Sequence, residues 1–446
     1  MVILNKKIIK EVLHLALPAV GEMILYMMIW VFDTMMVGQY GGQIAVSTVG
    51  LSSEILYTLL NVFIAYGISV GTVSLISRRL GGNEKDFAEE YATLGLLLGG
   101  IFSFLISSTT FFASPIILKY AGAKGDVLKY GIMYMKIVSV GMFFHMLMNV
   151  LNSILRGGKN TKTPLLASVI INIINLFLDW VLIFGKLGFP EWGIRGAAIA
   201  TAIAHFSGFV FIVIYTAKHS QIKPRFKYIN NFSFKRCREL IKLSMPSSFQ
   251  EAAFSVIKLL GSVMIMNLGE VSFAANQITT AIESVSFMPG NGFAVATTTL
   301  VGHKVGEKKY KEAKEYVKTS TTLGVLLMTF CGVMFLIFPK FLISLFINKN
   351  ELDVISLGAT CLMIAAVEQP FMGIHMILTG AFSGAGDTKT PFIVSFISNW
   401  LIRLPLMVYF IHILKVSVIW VWWITGVQWI IQGVVMYIIY RRKFHN

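Results

Sequence analysis

The chain has 446 residues, 56% of them hydrophobic and 13% charged, with a mean hydropathy of +0.72. So little charge cannot cover the exteriors of the roughly three soluble domains, at about 150 residues each, that this length would otherwise suggest. The net charge of +16, from 38 Lys and Arg against 22 Asp and Glu, would point to nucleic acid in a soluble protein. Here, however, apolar blocks of about 20 residues recur from end to end, each long enough to cross a bilayer, and the sequence reads as an all-α integral membrane protein.

Lys6, Lys7 and Lys10 precede the first block and no small-residue cleavage site follows it, so it reads as a retained first helix rather than a removed signal. Hydropathy predicts twelve spans, near 12–37, 51–77, 91–113, 131–155, 164–184, 196–216, 241–267, 280–302, 316–337, 357–380, 391–411 and 417–440. An even number puts both termini on one side. Of the 38 Lys and Arg, 27 fall on that side and 8 on the other, with Lys136, Lys258 and Arg403 inside spans. Positive charge marks the cytoplasmic side, so the expectation is an inner- or plasma-membrane protein with both termini inside. Cys237, Cys331 and Cys361, three with no paired spacing, argue against a disulfide framework or a thiolate metal site.

An ionisable group in hydrocarbon costs at least a few kcal/mol, so each one asks for a reason. On span one, Glu22 and Asp33 are eleven residues apart; at 100° per residue they return to within about 20° of one face, with Tyr26 near the same stripe. Span five carries Asn172, Asn175 and Asp179 at spacings of three and four, again on one face. Carboxylates and amides are hard oxygen donors, suited to Na⁺ or H⁺ and not to a transition metal. His145 and His205, in spans four and six, are packed histidines or proton relays. The cytoplasmic runs Arg78–Glu90 and His303–Lys318 read as amphipathic interface helices.

The longest basic stretch, 218–242, joins spans six and seven and divides the chain into six-span halves, 1–217 and 243–446. The second half carries Gln250, Glu251 and Lys258 in span seven, Glu283 in eight, Glu368 in ten and Arg403 in eleven. These either form an acidic cavity for a cationic substrate or neutralise one another in pairs. Pro18, Pro246, Pro289, Pro370 and Pro405 are hinges or static kinks within spans.

The halves repeat one another. Gly157-Gly-Lys-Asn-Thr161-Lys-Thr-Pro164 matches Gly384-Ala-Gly-Asp-Thr388-Lys-Thr-Pro391 at an offset of 227. Arg78-Arg-Leu-Gly81 matches His303-Lys-Val-Gly306 at 225, and Pro18 matches Pro246 at 228. Repeats with an even number of spans insert in the same orientation, which predicts two bundles about an axis along the membrane normal, facing a central cleft. At these offsets Asp33 falls on Gly261, Asn175 on Ile402 and Asp179 on Leu406, so the acidic constellation of the first half is single. Neither Gly-rich turn ends in Gly-Lys-Ser/Thr, and no ATP site is evident.

Pro18 followed by Asp33-Thr34 and Val37-Gly38, the turn at 384–391 and the run Ser286-Phe-Met-Pro289 resemble the multidrug and toxic compound extrusion family across all twelve spans. The resemblance implies two bundles alternating between inward and outward openings. It implies export of small amphipathic, mostly cationic organic compounds against inward Na⁺ or H⁺, by a monomer with no other cofactor. Carried over by motif, the coupling-ion site is Asp33, Asn175, Asp179 and Thr201, with Asn172 as a neighbour on the same stripe. Tyr26, Met27 and Trp30 are candidate cavity walls, since polarizable Met and aromatic surfaces suit varied ligands. Besides substrate, the expected partner is membrane lipid, without nucleic acid or ATP. No nucleophile or metal cluster suggests an enzyme. The alternative, a flippase for a lipid-linked sugar, calls for a more cationic cleft.

Overall fold

The computed structural model describes residues 5–230, 232–347 and 350–445, and among them helix is the only regular element. Twelve long helices run in order: α1 Lys6–Gly42, α2 Ile44–Gly81, α3 Lys85–Tyr120, α4 Gly125–Gly157, α5 Lys162–Ile183, α6 Ile194–His219, α7 Phe234–Met266, α8 Glu270–Gly306, α9 Tyr310–Ile337, α10 Leu352–Ala385, α11 Lys389–Ile411 and α12 Ile419–Phe444. Helix is what hydrocarbon demands, because each segment must satisfy its own backbone. Eleven of the twelve are long and apolar enough to span a bilayer. The twelfth, α8, has the length but is diluted by Asn291 and by Thr297, Thr298 and Thr299. Those polar groups are absorbed locally: Thr297 donates to the Phe293 carbonyl at 2.7 Å, and Thr298 to those of Ala294 and Gly380 at 2.9 and 3.0 Å.

Two runs expected as interface helices are instead the continuous ends of spans. α2 carries on through Arg78 and Arg79 to Gly81, and α3 starts again at Lys85. The turn between them places Asn83 at φ 58, and its counterpart between α8 and α9 places Lys308 at φ 60. The backbone hydrogen bonds of the two turns correspond one for one at the offset of 225: Gly82 to Arg78, Asn83 to Leu80 and Glu84 to Arg79, against Glu307 to His303, Lys308 to Val305 and Lys309 to Lys304. The Gly-rich turns match in the same way. Asn160 Oδ1 accepts the Thr163 N–H at 3.1 Å, and Asp387 Oδ1 accepts the Thr390 N–H at 3.0 Å. Burial opposes ionisation of Asp387, but the Lys443 ammonium at 2.7 Å and the Thr390 donors outweigh it and hold this carboxyl below the usual range.

The compact units differ from the sequence halves. One comprises Met1–Val20 with Phe249–Asn446 and the other Gly21–Ser248, so α1 and α7 are each divided, two residues beyond Pro18 and Pro246. The physical reason is long-range packing. Val12, Leu15, Ala16 and Val20 form a core with Phe293, Ala296, Leu300 and Ile377. Gly292 admits the Val20 backbone so closely that a Cβ there would lie 2.6 Å from its nitrogen. At the equivalent place in the other unit, Leu240 joins Leu75 and Tyr91, and Ser244 packs on Gly71. Paired tyrosines fasten the exchanged segments: Tyr316 to Glu11 and Tyr91 to Glu239, both at 2.5 Å.

Nor are residues 218–242 a free linker. Ile222 is buried, α7 already begins at Phe234, and Arg225 and Arg236 pair with Glu89 and Glu90 of α3. Within each unit helices meet at small residues. A Cβ on Gly141 of α4 would fall 2.5 Å from Ala202 Cα of α6, and one on Gly380 of α10 would fall 2.3 Å from the Ala294 carbonyl oxygen of α8. Of the in-span prolines, Pro405 differs from expectation: it opens a four-residue α segment, Leu404–Met407, between two stretches of π-helix in and beyond α11.

Candidate functional site

In the unit Gly21–Ser248, α1, α5 and α6 bring Asp33, Asn175, Asp179 and Thr201 together. All four are buried, at 5%, 1%, 0% and 3% exposure. Thr201 Oγ1 lies 3.2 Å from Asp33 Oδ2 and 3.0 Å from the Ala197 carbonyl, so one hydroxyl proton is shared between two acceptors. Asn175 and Asp179, one turn apart on α5, adjoin Asp33. Even so, Asp33 Oδ1, both Asp179 oxygens and Asn175 Nδ2 have no hydrogen-bond partner among the described residues. Two adjacent buried carboxylates with free lone pairs repel unless a proton or metal cation lies between them. The donor set is hard oxygen, and no cluster of three or more His, Cys, Asp or Glu side chains able to hold a metal occurs among the described residues. Such a donor set suits a hard cation or a proton.

Asn172 behaves differently. Its amide nitrogen donates to the Leu25 and Ser168 carbonyls at 3.1 and 2.8 Å, tying α5 to α1. Glu22 also parts from Asp33, despite sharing its helix face. It pairs with Arg156 of α4 at 2.5 Å and lies 3.4 Å from Asn152 Nδ2, buried inside the unit. Tyr26 lies between the two acids along α1. Its hydroxyl meets His145 Nε2 at 2.8 Å; its ring packs edge-on to Tyr57 at 5.7 Å, and His145 in turn packs on His205 at 4.2 Å. Met27 is half-buried and Trp30 is 43% exposed.

Arg156, Asn152, Tyr57, Tyr134 and Ser53 escaped the sequence reading. Tyr57 and Tyr134 lie near Asp33, and the Tyr134 hydroxyl meets Ser53 Oγ at 3.3 Å. Arg156 stands at the end of α4, where it was counted among cytoplasmic charges. In sequence nothing distinguishes it from Lys159 and Lys162, the other basic residues between spans four and five.

The other unit holds its own acids. Glu283 of α8 adjoins Glu368 and Gln369 of α10, with Arg403 and Lys258 in its field. Glu368 is fully buried and neither of its oxygens is hydrogen-bonded among the described residues; Arg403 Nε also lacks a partner. Glu251 lies in the field of Lys258. Gln250 belongs to a different chain of contacts, through Ser395 Oγ at 3.0 Å to His375 Nε2 at 3.3 Å and the Trp429 ring. Gln428 and Gln432 of α12, one turn apart, add two buried amides without hydrogen-bond partners among the described residues; their spacing in an apolar run was a readable signal.

Twelve long helices in two sets of six with matching turns, and carboxylates buried inside each unit, are the architecture of a polytopic membrane transporter. The chain belongs to the MatE family, whose model matches it twice, over residues 18–181 and 246–409, starting each time at the proline of a divided helix. Among curated relatives, a probable multidrug resistance protein NorM of Thermotoga maritima is 29% identical over 413 residues, covering 93% of this chain and 88% of its own. The uncharacterized transporter YisQ of Bacillus subtilis is 27% identical over 428 residues, covering 96% and 92%. A solved outward-facing conformation of a multidrug resistance MATE family transporter of the MOP superfamily superposes with a TM-score of 0.90 at 22% identity, covering 98% of this chain and 96% of that one. At that identity it shows the fold, and it agrees with the twelve-helix, two-repeat reading of the sequence.

Proposed function

We propose that this transporter is a cation-coupled antiporter that exports amphipathic, mostly cationic organic compounds by alternating access, driven by inward Na⁺ or H⁺ and not by ATP. The observation that carries the reading is the buried Asp33–Asp179 pair, with open oxygens beside a Thr201 hydroxyl that is only weakly engaged. A cation there draws on both carboxylates, the Asn175 amide oxygen and the Thr201 oxygen. It drives export only by binding one conformation better than the other. Asp33 lies on α1, the helix that is divided between the two units after Val20. The multidrug-resistance names of several relatives support drug-like substrates. Both termini are assigned to the cytoplasm by the charge count, with the monomer as the working unit. A lipid-linked-sugar flippase would call for buried cations; the buried charged side chains of the unit Gly21–Ser248 are instead Glu22, Asp33, Glu89, Glu90 and Asp179 against Arg156.

The test is ethidium efflux from vesicles of the purified protein under separately imposed Na⁺ and pH gradients. Acceleration by one gradient supports antiport and names the ion; indifference to both removes the antiport reading.

A further inference from the structure

A groove of about 540 Å³ opens between the start of α9 and the end of α12. Its walls combine two chemistries. Lys314 and Lys318 stand one turn apart on α9, and Arg441 faces them from α12. None of the three forms an ion pair among the described residues, whereas the nearby Lys443 is engaged by Asp387 at 2.7 Å. Glu315 is the acid of the lining, which leaves an excess of positive charge. The remaining wall is aromatic: Tyr437, Tyr440 and Phe444 follow at spacings of three and four on one face of α12, with the last two rings 5.0 Å apart. Val317 and Leu378, both about 1% exposed, form an apolar floor. Thr321 also lines the groove, with its hydroxyl oxygen buried and without a hydrogen-bond partner among the described residues.

Unpaired cations beside an aromatic and aliphatic surface at the ends of two spans match the boundary where a phospholipid phosphate meets its acyl chains. A free inorganic anion would use the cations but gain nothing from the floor or the rings. We infer that this groove is a binding site for an anionic phospholipid, with the headgroup phosphate held by Lys314, Lys318 and Arg441 and the upper acyl chain laid along Leu378, Tyr437 and Phe444. The site belongs to the unit that does not contain Asp33 and does not depend on the antiport reading.

The test is native mass spectrometry of the purified full chain in detergent, titrated with phosphatidylglycerol or with phosphatidylcholine of the same chain length. Wild type should retain the anionic lipid at concentrations where the zwitterionic one is lost. Each basic residue near an anionic headgroup contributes about fivefold, so the triple variant Lys314→Gln, Lys318→Gln, Arg441→Gln should bind about 100-fold more weakly, and Lys318→Gln alone about fivefold. A charge-matched triple elsewhere, Lys218→Gln, Lys235→Gln, Arg238→Gln, should retain wild-type binding. Millimolar inorganic phosphate should not displace the lipid. Unchanged binding by the groove variants, an equal loss in the control triple, or full displacement by phosphate would each overturn the assignment. If the triple variant fails to elute as a monodisperse species, the single Lys318→Gln titration carries the test.

Discussion

The Glu22–Arg156 pair permits a quantitative test of how charge is accommodated inside the first unit. The side chains are 6% and 8% exposed and meet at 2.5 Å. With about 4 Å between charge centres and an effective dielectric of about 20, their attraction is on the order of 4 kcal/mol. Removing one partner strands a buried charge, so Arg156→Met and Glu22→Gln should each destabilise by about 3–5 kcal/mol. The double variant removes both charges and should return to within about 1 kcal/mol of wild type, giving a coupling of about 5 kcal/mol or more in the cycle. Equilibrium unfolding in mixed micelles, read by tryptophan fluorescence, gives the four stabilities. Single-variant losses below about 1 kcal/mol, or a double variant that loses the sum of the singles, would refute the claim that these residues neutralise each other in a dry interior.

Other outcomes follow from the same coordinates. Asp33→Asn preserves the shape and leaves an acceptor for Thr201, so membrane insertion and monodispersity should persist while gradient-driven efflux is lost; undiminished efflux would remove Asp33 from the coupling role. Asp387→Asn should keep the turn, as Asn160 does in the first repeat, but lose the ion pair with Lys443. Because the Asp387 carboxyl is held below its ordinary value, its stabilisation is present above the ordinary carboxylate range of about 4. It disappears as pH falls through the lowered folded value, so wild type and variant should differ in unfolding midpoint at pH 7 and converge in strong acid. Gly380→Ala forces a Cβ to 2.3 Å from a backbone oxygen and should cost about 1–3 kcal/mol, whereas Gly50→Ala, with nothing within 4 Å, should not destabilise.

The twelve helices and their repeat were legible because both rest on local signals: length, hydropathy, and short turn motifs whose backbone is duplicated at Asn83 and Lys308. The Asp33, Asn175, Asp179 and Thr201 cluster was reached through family motif. Spacing alone grouped Glu22 with Asp33 and Asn172 with Asn175; the structure pairs Glu22 with Arg156 and ties the Asn172 amide nitrogen to Leu25, while the Asn172 amide oxygen has no hydrogen-bond partner among the described residues. A helix face is only an angular range, and the partners that decide its chemistry, Arg156 for Glu22 and Leu25 for Asn172, come from other helices. The same holds for the unit boundaries. Local composition marks 218–242 as a connector, but Val12 and Val20 find their neighbours on α8 and α10, and Leu240 finds its own on α2 and α3. No periodicity within one helix encodes that exchange.

The exchange also orders events during synthesis. Val20 leaves the ribosome 272 residues before Gly292, the residue that receives its backbone. The first half of α1 thus gains these packing partners only after Gly21–Ser248 has been made, an uninterrupted stretch that can assemble as it emerges. Until α8 arrives, Val12, Leu15 and Val20 have only lipid against them. The first half of α1 is therefore the segment most exposed to quality control in a chain that stalls or terminates before Gly292.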